Sequence, residues 1–222
     1  MFYGKFRQTV DACTAPVGKA LVKVGFSADV LTGSGLVFAI ATAWSIGVGY
    51  HVLGVVLLTL TGAHDLFDGP VAKASQRTSI RGGFFDSVVD RLSDSLLMGG
   101  CAYYLVAHHH GQLVLLPFAI ITSTFLISYQ RSKAESLGLS AKGGLMERAE
   151  RMILLGVALL ANVLFIPVLW LMLALTTMTA LGRFARVWTS AERPPLAVES
   201  SPHKTTTHSY RRRLGLSRSA RN

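Results

Sequence analysis

The sequence predicts an all-α integral membrane protein, a bundle of six transmembrane helices preceded by an N-terminal amphipathic interfacial helix. Three observations carry that expectation. Half of the 222 residues are hydrophobic and only 15% are charged, giving a mean hydropathy of +0.43. Several apolar stretches approach the ~20 residues that cross a bilayer. The short connections between them alternate between segments with Lys or Arg and segments with neither, which is the signature of a sided membrane protein.

Residues 1–27 contain no uninterrupted apolar core and no small-residue cleavage site. They read as a cytosolic amphipathic juxtamembrane helix rather than a removable signal peptide. Six spans are expected near residues 28–49, 52–74, 83–107, 113–132, 149–165 and 166–187, within one membrane domain over 28–190. Only Pro167 and a few small residues divide the last two. The connections at 46–52, 107–113 and 162–167 lack Lys and Arg, whereas the opposite ones hold Lys73, Arg77 and Arg81, then Arg131, Lys133, Lys142 and Arg148. The 22 basic residues therefore gather on or near one side, which the positive-inside bias makes cytosolic. Both termini then face the cytosol at the cell membrane, in keeping with an even number of spans.

The formal charge of +10 raises nucleic acid as a partner. The basic stretch over residues 191–222, with Arg211, Arg212, Arg213, Arg218 and Arg221, has no hydrophobic pattern and reads as a disordered cytosolic tail. Beside a membrane, attraction to anionic headgroups at roughly 1 kcal/mol per basic residue explains it without nucleic acid. Cys13 and Cys101 offer neither a disulfide framework nor metal-ligand spacing.

The chemistry is concentrated where the second and third spans meet. The segment DLFDGPVAKASQRTSIRGGFFDSVVD places Asp65, Asp68, Asp86 and Asp90 inside stretches expected in lipid. An Asp at mid-bilayer costs roughly 2.5 to 3.5 kcal/mol on insertion scales, so four of them need a shared reason. Counted from Lys73, Asp68 and Asp65 lie roughly 8 and 12 Å deep at about 1.5 Å per residue. Counted from Gly82, Asp86 and Asp90 reach matching depths. Each pair, i,i+3 and i,i+4, shares one helix face, so the four converge across a helical hairpin. Like charges this close raise one another's pKa and call for a counter-ion. Oxygen-only ligands suit hard divalent metals, Mg²⁺ or Mn²⁺, and a paired site of two ions suits clamping a phosphate. Gly69 and Gly82 leave room for a bulky phosphate ligand beside the acids, and Pro70 is expected to kink its helix there. A divalent-cation transporter would also use intramembrane acids. It leaves the glycines, the one-sided depth and the arginines described below without a role.

The spacing D-x2-D-G-x2-A-(K/R)-x8-G-x3-D-x3-D, met by Asp65, Asp68, Gly69, Ala72, Lys73, Gly82, Asp86 and Asp90, resembles the signature of the CDP-alcohol phosphotransferases. Lys73 stands where the family usually has Arg, keeping the charge and losing the bidentate fork. The resemblance covers about residues 20–190. It implies transfer of the phosphatidyl group from CDP-diacylglycerol to an acceptor alcohol with release of CMP. It further implies that Asp65, Asp68, Asp86 and Asp90 hold metal, that Asp90 is the general base, and that Asp65, Gly69, Lys73 and Gly82 hold the cytidine diphosphate. SADVLT resembles the family's T-P-(N/D)-x-x-T element, adding Asp29 and Thr32 to the nucleotide site, with Ala28 in place of the usual Pro. A homodimer is likewise implied by the resemblance alone.

The segment ISYQRSKAESLGLSAKGGLMERAER over residues 127–151 resembles the inositol-phosphate branch of that family, which makes phosphatidylinositol phosphate. By that likeness Arg131, Arg148 and Arg183 hold the acceptor phosphate, and Ser128, Lys133 and Arg151 complete the candidate set. A dianionic phosphate suits such a cluster, because several cationic donors share its oxygens. The Lys-rich segment typical of the glycerol-phosphate branch is missing, which argues against phosphatidylglycerophosphate synthesis.

Other residues have plainer readings. Arg148, Glu147, Glu150 and Arg151 could form an interfacial ion-pair lattice, and so could Lys133 with Glu135. Asp94 continues the row from Asp90 and is expected to meet a polar group on a neighbouring helix. His108, His109 and His110 read as a solvated loop away from the acids. His64 is expected either beside the metal site or packed within the bundle, and Gly33, Gly35, Gly99 and Gly100 are expected to permit close helix packing.

Overall fold

The computed structural model describes residues 14–75, 79–108, 111–141 and 143–192. Residues 1–13, 76–78, His109, His110, Lys142 and residues 193–222 lie outside it. Among the described residues every regular element is helical. Residues 14–23 are helical and are called α1. Then follow α2 (Ala28–Gly47), α3 (His51–Ala74), α4 (Ile80–Ala107), α5 (Leu115–Ser136), α6 (Arg148–Leu160) and α7 (Phe165–Ala191), with 3₁₀ turns at Gly111–Val114 and Asn162–Leu164. Among the described residues, four stretches are long and apolar enough to cross a membrane: Ala28–Gly47, His51–Ala74, Gly111–Ser136 and Asn162–Ala191. Charge sets α4 apart, since Arg81, Asp86, Asp90, Arg91 and Asp94 interrupt it. Length sets α6 apart, since its 13 residues span only ~20 Å.

Local signals account for most boundaries. Ser27 caps α2 by accepting from the Val30 N–H at 3.3 Å, and Ser79 caps α4 by accepting from the Gly82 N–H at 2.9 Å. Ala28 is thus the first helical residue of α2, the position where proline is favoured for its preset φ. With Ser27 capping, the helix starts there without the proline. The fourth predicted span ends later than expected, because α5 continues to Ser136 before Gly138 at φ +75° stops it. The fifth and sixth part at Ala161 and not at Pro167. Pro167 lies in the first turn of α7, where a missing N–H leaves no hydrogen bond unmade. α3 runs unbroken through Pro70 to Ala74.

The helices pack as two groups with a bridge. α2 lies along α3 and α4, α5 lies along α7, and the groups are joined by α4 packing on α5 and by α6 packing on both α3 and α7. The core between them holds Leu58, Leu105, Ile120, Leu155, Leu159, Phe165, Leu169 and Met172. Lipid removes the hydrophobic drive for helix association, so close backbone approach matters more. Gly100 provides it: a Cβ there would stand 2.4 Å from the Ala43 carbonyl oxygen. Gly35 does the same against His64, whereas Gly33 and Gly99 have nothing within 4 Å. Two of the four expected packing glycines therefore face open space. A Cβ on Gly18 would lie 2.8 Å from the Pro70 side chain, so α1 is pressed on the end of α3.

At the end of the bundle away from the acids, Tyr104 is the hub of a small aromatic cluster. Its ring meets His51, His108 and Phe165 at 4.7, 4.1 and 5.0 Å between centroids, and its hydroxyl donates to Asn162 Oδ1 at 3.2 Å. His108 is spent in this cluster and on the Tyr104 carbonyl, which it meets at 2.9 Å. Cys101 is a buried free thiol in the core.

Candidate active site

The ends of α3 and α4 deliver the four acids to one place. Asp65, Asp68, Asp86 and Asp90 all line a single cleft of about 750 Å³ between α3 and α6. The carboxyls of Asp68 and Asp86 meet each other across the hairpin. Arg148, in the first turn of α6, reaches in from the opposite wall. Its Nη2 lies 2.8 Å from Asp65 Oδ2 and its Nη1 contacts Asp90 Oδ1. Arg91 Nη1 lies 3.3 Å from the other Asp90 oxygen and donates to the Ser87 carbonyl at 3.0 Å. Asp90 is therefore held between two guanidiniums.

No three acids, histidines or cysteines among the described residues lie close enough together to hold a metal ion as they stand. The guanidinium of Arg148 fills the space between Asp65 and Asp90 instead. The donor set nevertheless fits a hard divalent cation. Two arginines oppose four carboxylates, and the buried Asp65 Oδ2 receives no well-directed hydrogen bond, leaving acceptor capacity in a site where such groups are usually satisfied.

The nucleotide candidates fall on the rim. Asp29, in the first turn of α2, puts its Oδ1 3.3 Å from where a Gly82 Cβ would stand. The fold thus joins two positions that are 53 residues apart. Gly69 faces open space, while Lys73 is exposed in the last turn of α3. Thr32 is buried and donates to the Ala28 carbonyl at 3.1 Å.

The acceptor candidates divide. Arg148 alone of them lines the cleft. Arg151 turns from it to Asp94, its Nη2 2.6 Å from Asp94 Oδ2. Arg183 is 2% exposed and donates to the carbonyls of Ile127 at 2.8 Å and Gly143 at 3.1 Å, tying α7 to α5 and to the loop before α6. Arg131 is exposed and pairs with Glu135 at 3.0 Å, so Glu135 is not left to Lys133. Lys133 is exposed near the end of α5, and Ser128 is half-buried beside the Ile127 carbonyl that Arg183 uses. Glu147 and Glu150 form a capping box at the start of α6, with the Glu147 N–H donating to Glu150 Oε2 at 3.1 Å. The E-R-x-E-R segment is thus a helix start that aims two arginines, in place of an ion-pair lattice.

One contact was missed from the sequence, and one open choice is resolved. Arg91 follows Asp90 directly, and nothing in the spacing marks it. His64 packs on Phe38 at 4.9 Å and on the Leu60 carbonyl at 2.8 Å, which decides for packing over a place beside the acids.

A match to the CDP-alcohol phosphatidyltransferase family runs over residues 26–182. The chain belongs to that family. It is accordingly a transferase of substituted phosphate groups. An archaetidylinositol phosphate synthase of Methanothermobacter thermautotrophicus is 33% identical over 184 residues, 82% of this chain and 89% of that one. The crystal structure of Mycobacterium tuberculosis phosphatidylinositol phosphate synthase with CDP-DAG bound superposes with a TM-score of 0.72 at 27% identity, covering 79% of this chain and 94% of that one. The same enzyme in complex with manganese and citrate gives the same TM-score and identity, covering 79% and 89%.

Proposed function

We propose that this phosphatidyltransferase moves the phosphatidyl group of CDP-diacylglycerol to a hydroxyl of an inositol phosphate, giving phosphatidylinositol phosphate and CMP. The observation that carries this reading is the two-part cleft. Its head is formed by the four acids and Arg148, and its body by Leu58, Leu66, Ile153, Val157 and Leu160. An anionic head and an apolar body on one ligand describe a nucleotide-linked lipid.

Asp65, Asp68, Asp86 and Asp90 would hold Mg²⁺ or Mn²⁺, two ions in the fuller reading. A divalent cation on these acids would supply charge to neutralise the pyrophosphate and would leave Arg148 available for an anion. Asp90 takes the proton of the acceptor hydroxyl, and the alkoxide attacks the phosphorus next to the diacylglycerol as CMP leaves. Arg148 holds the acceptor's phosphate, Arg131, Lys133 and Ser128 supply the outer part of its path, and Arg183 braces the loop before α6 from within. Asp29, Gly69, Lys73 and Gly82 seat the cytidine end. The chain would work as a homodimer of six-span subunits in the cell membrane. Residues 1–27 would lie at the cytosolic surface, and the basic tail would rest on anionic lipid.

The test is CMP release by detergent-purified protein given CDP-diacylglycerol and Mg²⁺ or Mn²⁺, with inositol phosphate or glycerol 3-phosphate as acceptor. Release with inositol phosphate alone is expected. Arg148→Ala is expected to raise the Michaelis constant for inositol phosphate by about 10- to 100-fold, the worth of one charged hydrogen-bond pair, and that for CDP-diacylglycerol little. Release with glycerol 3-phosphate instead would overturn the acceptor assignment.

A further inference from the structure

We propose that Asp94 and Arg151 form a positioning pair that sets the register of α6 on α4 and thereby fixes where Arg148 enters the cleft. Asp94 stands one turn beyond Asp90 on the same face of α4, outside the eight-position pattern that accounts for the other acids. Its partner is buried inside the bundle. Arg151 Nη2 and Asp94 Oδ2 are 2.6 Å apart, and the two side chains are only 11% and 13% exposed. Around them lie Leu97, Met98, Ile120, Met152, Leu155 and Met172, with a void of about 20 Å³.

A charge pair in such surroundings is a poor way to stabilise a bundle. Replacing a buried ion pair with apolar side chains of similar volume is often neutral or stabilising, whereas removing one partner is costly. The pair therefore calls for a reason other than stability, and the packing suggests one. α6 packs its backbone on α3 and α7, and α4 packs its own on α2 and α5. The polar ties between α4 and α6 are long side chains, Arg148 to Asp90 and Arg151 to Asp94, beside the apolar Leu97 and Met98 of α4 and Met152 and Leu155 of α6 that line one small void. Apolar side chains alone let a short helix slide or roll, whereas a directed ion pair fixes its register. With Arg148 turned to an anion, Arg151 to Asp94 is the tie that keeps it. α6 needs this more than its neighbours do, with 13 residues and an irregular break at Ala161 immediately after it. Catalytic geometry is sensitive on this scale, since a misplacement of about 1 Å costs on the order of 10²-fold in rate.

The effect on the acceptor rests on the reading of Arg148 given above, so the experiment has a second readout independent of activity. Three variants are compared with the parent: Asp94→Asn; the apolar double Asp94→Leu with Arg151→Met; and the swap Asp94→Arg with Arg151→Asp. Each is assayed for thermal unfolding and for the Michaelis constants of inositol phosphate and CDP-diacylglycerol. Nitroxide distances are measured between labels at Leu92→Cys and Leu145→Cys, both exposed positions, with Cys13→Ser to avoid stray labelling.

The apolar double is expected to unfold near the parent temperature. It should nevertheless raise the inositol phosphate constant about tenfold or more, leave that for CDP-diacylglycerol within about twofold, and broaden the distance distribution. The swap is expected to narrow the distribution again, and Asp94→Asn to lose stability as well as position. An apolar double with parental constants and a parental distribution would overturn the proposal, making the pair a stability feature only. If the parent releases no CMP with inositol phosphate, the acceptor reading has failed, and the distance distribution of the double then decides the pair by itself.

Discussion

Asp90 has an arginine on each oxygen, Arg148 on one and Arg91 on the other, and the two together fix its carboxyl at the cleft. A base in that state is lost by the smallest change of element. Asp90→Asn is expected to lower kcat by about 10²- to 10⁴-fold, the usual contribution of a positioned general base, in a protein that still folds and unfolds cooperatively. Activity within a few-fold of the parent would remove Asp90 from the base role. At this scale the sequence revealed the acids well, because their spacing on two helix faces is a local property. It did not reveal Arg91, whose closeness to Asp90 is plain in sequence but whose aim depends on a side-chain conformation. Nor did it reveal the use of Arg183, a motif match that the fold spends on the Ile127 and Gly143 carbonyls. A motif names the residue, and only tertiary contacts name its partner.

Among the elements, the crossing of α2 and α4 decides where Asp29 meets Gly82, and one glycine decides the crossing. Gly100→Ala would drive a methyl into the Ala43 backbone, where no flexible side chain can yield. A loss of about 1 to 3 kcal/mol is expected from such overpacking. Gly99→Ala adds a methyl to open space in the same helix and is expected to be neutral or to gain up to about 1 kcal/mol from helix propensity. Reversible unfolding in mixed micelles measures both, and equal effects would refute the crossing described here. The sequence presents Gly99 and Gly100 as equivalent, since adjacent positions 100° apart differ only in what lies opposite. The first two helix starts were more legible: α2 begins at Ala28 as expected and α3 at His51, one residue before the expected 52. The break between α6 and α7 was not, because proline draws attention while the real break at Ala161 has no distinctive residue.

For the whole molecule, composition and loop charge were enough to predict a helical membrane protein, because hydropathy acts on segments and needs no knowledge of their partners. The arrangement in which α6 bridges α3 and α7 was beyond reach, since it follows from packing between distant segments. Sidedness is the molecular property on which the chemistry depends, as CDP-linked substrates and CMP must meet the acids from one compartment. A cysteine placed at Leu145, in the loop before α6, is expected to react with an impermeant maleimide only from the cytosolic side. One at Gln112, by the 3₁₀ turn at the other end, is expected to react only from outside, and the reverse pattern would invert the topology. The cleft's charge yields the last expectation. Four carboxylates with two arginines leave an excess of negative charge when all are ionised, and folding in that state carries a repulsive cost that a bound divalent cation removes. Chelation should therefore abolish CMP release and lower the unfolding temperature together, and Mg²⁺ or Mn²⁺ should restore both. Linkage requires the shift in stability to grow with the logarithm of free metal above its dissociation constant, about 1.4 kcal/mol for each tenfold. Asp86→Asn should flatten that dependence, since it removes a ligand and part of the repulsion at once. An unfolding temperature indifferent to metal, in a protein whose activity requires it, would place the metal on the substrate and not on these acids.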